Sequence, residues 1–421
     1  MPNIILQVYP TMGNTDQMES LRPIGRNIGA YQHMLEDLIE CCKTADELGY
    51  WGITHVEHHG HSEGLEISPD PLLLNVFLGA YTKRLRHGQL GLVVPSHDPV
   101  RLAESIAIAD HMLKGRLFVG LARGYQARWQ NVVSQHFGVT STASDQSDAD
   151  QRNRLLFEEH YKIMKMAWAD DMVRYKGPVY EVPFPYDEGI PNWPPSQSTT
   201  IPYGVPGEVD ADGTVRGLSV VPKPYTSPHP QLFQAFGASP NTLKWCGEED
   251  VTPTMLAGPI ETCKSLIEIY REAARSKGRE VPFGKGIGIV RSIHITENRE
   301  QIYEWTDKYE DPVWNGWYRP FGFMEASRLP GEEGPVPKPG EHLADRLMNS
   351  GIMMAGTVDE VKRQMDKTLT ELPVDYIVWL FHLGLFDIEH GKRQLEIFAN
   401  EVMPEFGMEA THLDDQTVAV S

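Results

Sequence analysis

The chain has 421 residues, 41% hydrophobic and 23% charged, and its acidic side chains exceed Lys and Arg by 20, giving a pI near 5.2. This is the composition of a globular protein with ample core material, and acidity without a basic patch argues against nucleic acid or anionic membrane as partners. The opening MPNIILQVYP is not signal-like, no stretch approaches the ~20 apolar residues of a membrane span, and the four cysteines form no CxxC, so a cytoplasmic protein with reduced thiols is expected.

Short apolar runs recur at 3–9, 51–56, 89–94, 117–122, 231–236, 251–257, 286–294 and 375–382. Their near-continuous hydrophobicity suits strands covered on both faces, as in parallel sheets. Helical patterns lie between them. Residues 31–48 carry Leu35, Leu38, Ile39, Cys42 and Ala45 at helical spacing and stop at Gly49. Residues 70–82, DPLLLNVFLGAYT, are apolar nearly all round, which predicts burial on both sides. Residues 98–113 open on Asp98-Pro99, an N-cap followed by Pro at N1, and end at Gly115. Further helices are predicted at 152–168, 240–247, 260–276, 357–371 and 390–402, with Thr357 and Glu360 forming a capping box.

Eight strands alternating with helices predict a (β/α)8 TIM barrel, a single domain over 1–421, with a doubly wound open sheet as the other possibility. Three stretches exceed a minimal barrel: the polar 140–151, the Pro-, Gly- and Ser-rich 183–230, and 309–349 with its aromatic WNGWYRPFGF. They are read as insertions, either functional lids or unstructured, and the first as mobile. Trp314, Trp317, Tyr318, Phe321 and Phe323 of the third fit either a substrate wall or the anchors of a long loop.

In such a barrel the chemistry gathers at the C-terminal ends of the strands. The sequence places Pro10-Thr11, Glu57-His58-His59, Pro95-Ser96-His97, Arg123-Gly124-Tyr125, Gly237-Ala238-Ser239 and His382 there. The stretch GITHVEHHGHSEG, residues 52–64, holds His55, His58, His59 and His61 with Glu57 among them. Spacing alone leaves a metal site, an acid–base site and a polar corner open. Ser239 can cap a helix with Pro240 at N1 and Thr242 at N3, and such a helix start beside Arg123 would make an anion site. A plain cap and a structural ion pair explain the same residues.

The stretches WGITHVEHHG, SPDPLLLNVFLGAYTKRLRHG, VVPSHDPVRLAESIAIADHMLKGRLFVGLARGY, FGASPNT and AGTVDEVKRQM…FANEVMPEF together resemble the bacterial luciferase-like monooxygenase family, in order and spacing, over 1–135, 225–275 and 350–406. The resemblance implies a TIM barrel using FMN. It implies that Arg123, Ser239 and Thr242 hold the flavin phosphate, with Ala238 beside them. It also implies a non-prolyl cis peptide at Leu90-Gly91 beneath the flavin ring. His58 aligns with the family's catalytic base. A reactive Cys found in luciferase before the strand-4 Arg is here Ala122.

The implied activity is oxygenation of a small organic substrate by reduced FMN and O2 through a flavin hydroperoxide. A separate flavin reductase as partner and a homodimer built on residues 70–82 are also implied. A deazaflavin- or NAD(P)H-dependent oxidoreductase on the same barrel is the alternative, and a metal-dependent hydrolase is the alternative from another class. No metal ligands are assigned, His55 is expected in the core, and His61 has no assigned role.

Overall fold

The computed structural model describes residues 2–142 and 144–408. Position 143 of the predicted 140–151 insertion and residues 409–421 of the predicted domain lie outside the described residues. All eight predicted strands form: β1 (Asn3–Val8), β2 (Gly52–His55), β3 (Arg86–Val93), β4 (Leu117–Ala122), β5 (Gln231–Gln234), β6 (Thr252–Met255), β7 (Gly288–Ile295) and, after an unpredicted β8 (Met353–Gly356), β9 (Tyr376–Phe381). The eight pair in the order β1-β2-β3-β4-β5-β6-β7-β9, and β9 returns to β1 to close a parallel barrel ringed by helices. Ile5 pairs with Gly52 on one side and Val378 on the other. β8 joins the far half of β7, Met353 opposite Ser292, where β6 has already ended.

The helices follow their sequence signals. Asn27 caps Ile28–Leu48 by accepting from the Ala30 N–H, and Gly49 ends it at φ 83°. Asp98 accepts from the Val100 and Arg101 N–H groups to start Pro99–Leu113. Thr357 and Glu360 form the predicted capping box.

The chain divides into two compact units, residues 1–91, 118–121 and 232–421, and residues 92–117 and 122–231. The first holds most of the barrel. Its floor is an aromatic plug in which the Phe118 ring lies 5.2 Å from both Trp51 and Phe233, and Tyr376 lies 5.1 Å from Trp51. Gly88 is required there, because a Cβ would collide with the Phe118 ring.

In the second unit, Pro99–Leu113 packs on Asp148–Ala169, and Trp168 Nε1 donates to Ala103 O at 3.0 Å. The 183–230 insertion is structured at several points along its length. Ile190 bridges to Val215, Lys223 Nζ donates to Ala167 O at 2.9 Å, and the Thr226 N–H donates to Asp110 at 2.7 Å. Its prolines and glycines shape turns whose polar groups find partners within the unit.

The 309–349 stretch also differs from a long loop. Helical turns run from Arg299 to Ser327, and a further helix spans Leu343–Ser350. Pro312, Gly316, Pro320 and Gly322 punctuate the sequence like a loop, while burial of its aromatic side chains keeps the backbone helical. Trp314 is 0% exposed and Tyr318 is buried.

Residues Pro71–Gly79 form the predicted apolar helix, but only one face is covered in this chain. Leu72 and Leu78 are buried, whereas Leu73 is 68% exposed and Phe77 40%. No helix among the described residues is long and apolar enough to cross a membrane.

Candidate active site

The histidine-rich strand end divides into distinct environments. His55 is fully buried on β2, its Nδ1 3.0 Å from Val8 O. Burial pulls its imidazole down to about 4, against the smaller opposing effect of that hydrogen bond. It is a core residue, as expected. Glu57, 2% exposed, reaches His59 Nε2 at 3.1 Å. His58 turns the other way, and its backbone N–H donates to Ser68 O at 3.1 Å.

The side chain of His58 meets a residue that sequence reasoning passed over. His58 Nδ1 lies 2.7 Å from Glu66 Oε2, and both side chains are under one-tenth exposed. Glu66 adopts φ 52°, a left-handed conformation uncommon outside glycine. Trp317 Nε1, from the third insertion, donates to the same Oε2 at 2.9 Å. His61 is also buried, not a bare loop residue: its Nδ1 lies 2.8 Å from Leu65 O and its ring 5.0 Å from Trp317. Glu66 is one of two carboxylates, with Glu63, in the Gly-containing loop after the His cluster, and the sequence does not tell them apart.

His58, His61 and Glu66 each offer a ligand atom within 4.8 Å of the others. Two ligands at ~2.1 Å on a tetrahedral ion sit about 3.4 Å apart. The 2.7 Å His58–Glu66 separation is shorter, and the two atoms touch directly.

A second buried carboxylate lies nearby in sequence to the insertion aromatics. Glu310 is fully buried, with His294 Nε2 at 2.6 Å, Trp314 Nε1 at 2.9 Å, Ser292 Oγ at 3.2 Å and His382 Nε2 at 3.3 Å. Burial works to raise this carboxyl, but His382 and His294 outweigh it and hold it well below the usual carboxylate range. β7, the end of β9 and the insertion are thereby tied at one point. His382 stacks on Tyr9 with ring centroids 6.0 Å apart. Burial first, and the Glu66 charge second, push the Tyr9 phenol well above its ordinary value.

These two centres border one small cavity of about 10 Å3, room for about one water molecule. Tyr9, Thr11, Glu66, Trp317 and His382 supply its polar and aromatic wall, and Leu65, Val313 and Leu385 its apolar remainder. Of the insertion aromatics, Trp314 is therefore a buried anchor, and Trp317 lines the small cavity.

The predicted cofactor residues are placed as follows. The Leu90–Gly91 peptide is cis, and a Cβ on Gly91 would lie 2.9 Å from Gly120 O. In the first unit Ser239 caps Pro240–Glu249, its Oγ accepting from the Thr242 N–H, and the two hydroxyls lie 2.9 Å apart. Ala238 is exposed beside them. Paired hydroxyls at the start of a ten-residue helix are a donor set suited to a phosphate. In the second unit Arg123 donates to Asp150 at 2.6 Å and to Ser144 at 2.9 Å. Asp150 and Ser144 come from the 140–151 stretch read as mobile, so that segment is fastened to Arg123.

The luciferase-like monooxygenase family model matches residues 20–376, and the chain belongs to that family. It is an enzyme of the flavin-dependent monooxygenase class. The oxygenase component of flavin-dependent trigonelline monooxygenase from Acinetobacter baylyi is 30% identical over 384 residues, covering 89% of this chain and 91% of that protein. The 2,5-diketocamphane 1,2-monooxygenase 1 of Pseudomonas putida is 23% identical over 63% of this chain, and the match spans 64% of that relative's length. Among solved structures, the oxygenating constituent of 3,6-diketocamphane monooxygenase from Pseudomonas putida in complex with FMN superposes with a TM-score of 0.68 at 18% identity, covering 96% of this chain and 99% of that one. An F420-dependent secondary alcohol dehydrogenase shares the fold at a TM-score of 0.58 and 14% identity, covering 96% and 98%.

Proposed function

We propose that the protein is an FMN-dependent monooxygenase that uses reduced FMN and O2 to oxygenate a small organic substrate, with His58 as its general base. The observation that carries this reading is the His58–Glu66 contact of 2.7 Å beside a cavity at the strand ends. Reduced flavin, when bound, supplies the oxygen-activating chemistry. The chain's own residues do the rest. His58 accepts a proton at its imidazole, and the Glu66 carboxylate stabilises the imidazolium so formed, as a buried acid does for a catalytic His. Trp317 fixes Glu66 through its N–H. The apolar wall of Leu65, Val313 and Leu385 keeps water away from the reacting group.

Ser239 and Thr242 are phosphate ligands in this reading, and Leu90, Gly91 and Ala238 line the flavin. Arg123 contributes positive charge beyond its pairing with Asp150. The reduced flavin comes from a separate reductase, and the exposed face of Pro71–Gly79, with Leu73 and Phe77, receives a second copy of the chain to form a homodimer.

The test is product formed per flavin oxidised. Wild type couples flavin oxidation to oxygenation. His58→Ala keeps its fold and binds reduced FMN but releases hydrogen peroxide in place of product. Equal coupling in the two proteins overturns the assignment.

A further inference from the structure

His58, His61 and Glu66 stand on one short loop, HHGHSEGLE, whose backbone is held in place by hydrogen bonds. The His58 N–H donates to Ser68 O at 3.1 Å, and the Gly64 N–H to His61 O at 3.1 Å. The loop is also tied to the chain just past β1. There the Met12 N–H donates to Gly64 O at 2.9 Å, and the Ile67 N–H to Pro10 O at 2.6 Å. The backbone thus brings the three side chains together before any ligand arrives.

One ligand atom from each of the three lies within 4.8 Å of the other two, and all three residues are buried. Two imidazoles and one carboxylate are a donor set for Zn2+ or Co2+, not for Mg2+ or Ca2+, which take six or more oxygen ligands. Two of the side chains also have partners that orient them. Nδ1 of His61 donates to Leu65 O at 2.8 Å, which places the lone pair of that ring on Nε2. The Trp317 N–H holds Oε2 of Glu66 at 2.9 Å. His59 is drawn to Glu57 at 3.1 Å and stays outside the set.

The cavity that Glu66 borders has room for about one water, enough for the fourth position of a tetrahedral ion. Taking up an ion requires small movements. The 2.7 Å contact between His58 and Glu66 opens by about 0.7 Å to reach the ~3.4 Å spacing of two ligands. The wider pairs, none beyond 4.8 Å, close to the same spacing.

We propose that His58, His61 and Glu66 form an inhibitory site for one Zn2+ ion, with a water as its fourth ligand. The ion occupies the imidazole lone pair with which His58 accepts a proton, so binding switches the base off. The inhibition rests on the reading of His58 as general base; the binding of the ion does not.

Binding is measured on full-length protein without flavin, treated first with a chelator. Calorimetry follows Zn2+, and absorption follows Co2+, whose four-coordinate complexes have intense visible bands. Wild type is expected to bind one Zn2+ per chain and to show the cobalt bands, with Mg2+ giving no binding. His61→Ala and Glu66→Gln should each weaken Zn2+ binding by at least about ten-fold and lose the bands, with an unchanged circular dichroism spectrum. Product formed per flavin oxidised is then compared with and without saturating Zn2+, each protein against its own zinc-free value. Wild-type product formation should fall about a hundred-fold and return on chelation, while that of His61→Ala should not respond.

The proposal is overturned by absent Zn2+ binding at submillimolar concentration, or by binding that survives intact in both variants. A wild type that binds Zn2+ yet keeps its product yield, while His58→Ala loses its own, overturns it as well. Binding that depends on His61 and Glu66, in an enzyme whose His58→Ala variant still couples fully, sinks the base reading and with it the inhibition, but not the ion site.

Discussion

Nδ1 of His58 lies 2.7 Å from Oε2 of Glu66, and the same oxygen accepts the indole N–H of Trp317. His58, just past the end of β2, is therefore linked through a carboxylate to a residue of the insertion that follows β7. Glu66→Gln keeps the shape and the acceptor for Trp317 but removes the charge that steadies a protonated His58. Its kcat is expected to fall about ten- to a hundred-fold with KM little changed, while His58→Ala loses the ~10²–10⁴-fold typical of acid–base help. Steady-state kinetics with reduced FMN supplied in excess reads both. A Glu66→Gln enzyme with wild-type kcat removes Glu66 from the mechanism.

The phosphate assignment makes a separate prediction. Ser239→Ala and Thr242→Ala should weaken FMN binding more than riboflavin binding, since only FMN carries the phosphate, and Arg123→Ala should show the same preference more strongly. A charge-assisted hydrogen bond is worth about 1.5–3 kcal/mol, or roughly ten- to a hundred-fold in affinity. Fluorescence titration of both flavins against each variant is the measurement, and identical losses for FMN and riboflavin would contradict the assignment.

The parts legible in the sequence were those whose pattern is local. The eight strands are runs such as NIILQV and YIVWLF, apolar because both faces are covered, and the caps Asp98, Ser239 and Thr357 sit next to the helices they start. His58 stood out because it follows closely on an apolar strand run. Glu66 did not, because only a left-handed turn and an indole from Trp317, far along the chain, bring it to His58. Glu310 was hidden in the same way: in DKYEDPVW it reads as one exposed acid among others. Its burial depends on His294 from β7 and His382 after β9, partners that no window around Glu310 contains. Asp150 likewise belongs to a polar stretch, and its role in holding Arg123 is visible only in three dimensions.

The exposed face of Pro71–Gly79 carries the dimer prediction. Leu73 at 68% and Phe77 at 40% exposure leave apolar area in water that a second copy would cover. Leu73→Glu with Phe77→Lys is expected to give monomer in light scattering, with the circular dichroism spectrum intact because neither side chain belongs to the core. A variant that stays dimeric at low concentration places the interface elsewhere.

Acidification should weaken the fold in two stages. His55 titrates at about 4 when folded, against an ordinary value of 6.5, because burial disfavours its charged form. A depressed folded pKa means that the unfolded chain binds the proton first, so its contribution to stability is complete above pH 6.5 and is lost as the pH falls from 6.5 toward 4. Glu310 is also depressed, here by His382 and His294 acting against burial, so its contribution is complete above the ordinary value of 4.5 and drains away only as the pH falls below it. Urea unfolding at stepped pH separates the two. His55→Gln should flatten the decline between pH 6.5 and 4 by about one proton's worth of slope and leave the more acidic part unchanged. Glu310→Gln should be less stable than wild type at neutral pH, since the buried acceptor facing His294, Trp314 and His382 is disrupted at a cost of about 1–3 kcal/mol, and should lose part of the decline below pH 4.5. A Glu310→Gln protein with wild-type neutral stability and an unaltered acid profile would show that the three-way tie between β7, β9 and the insertion carries no weight in the fold.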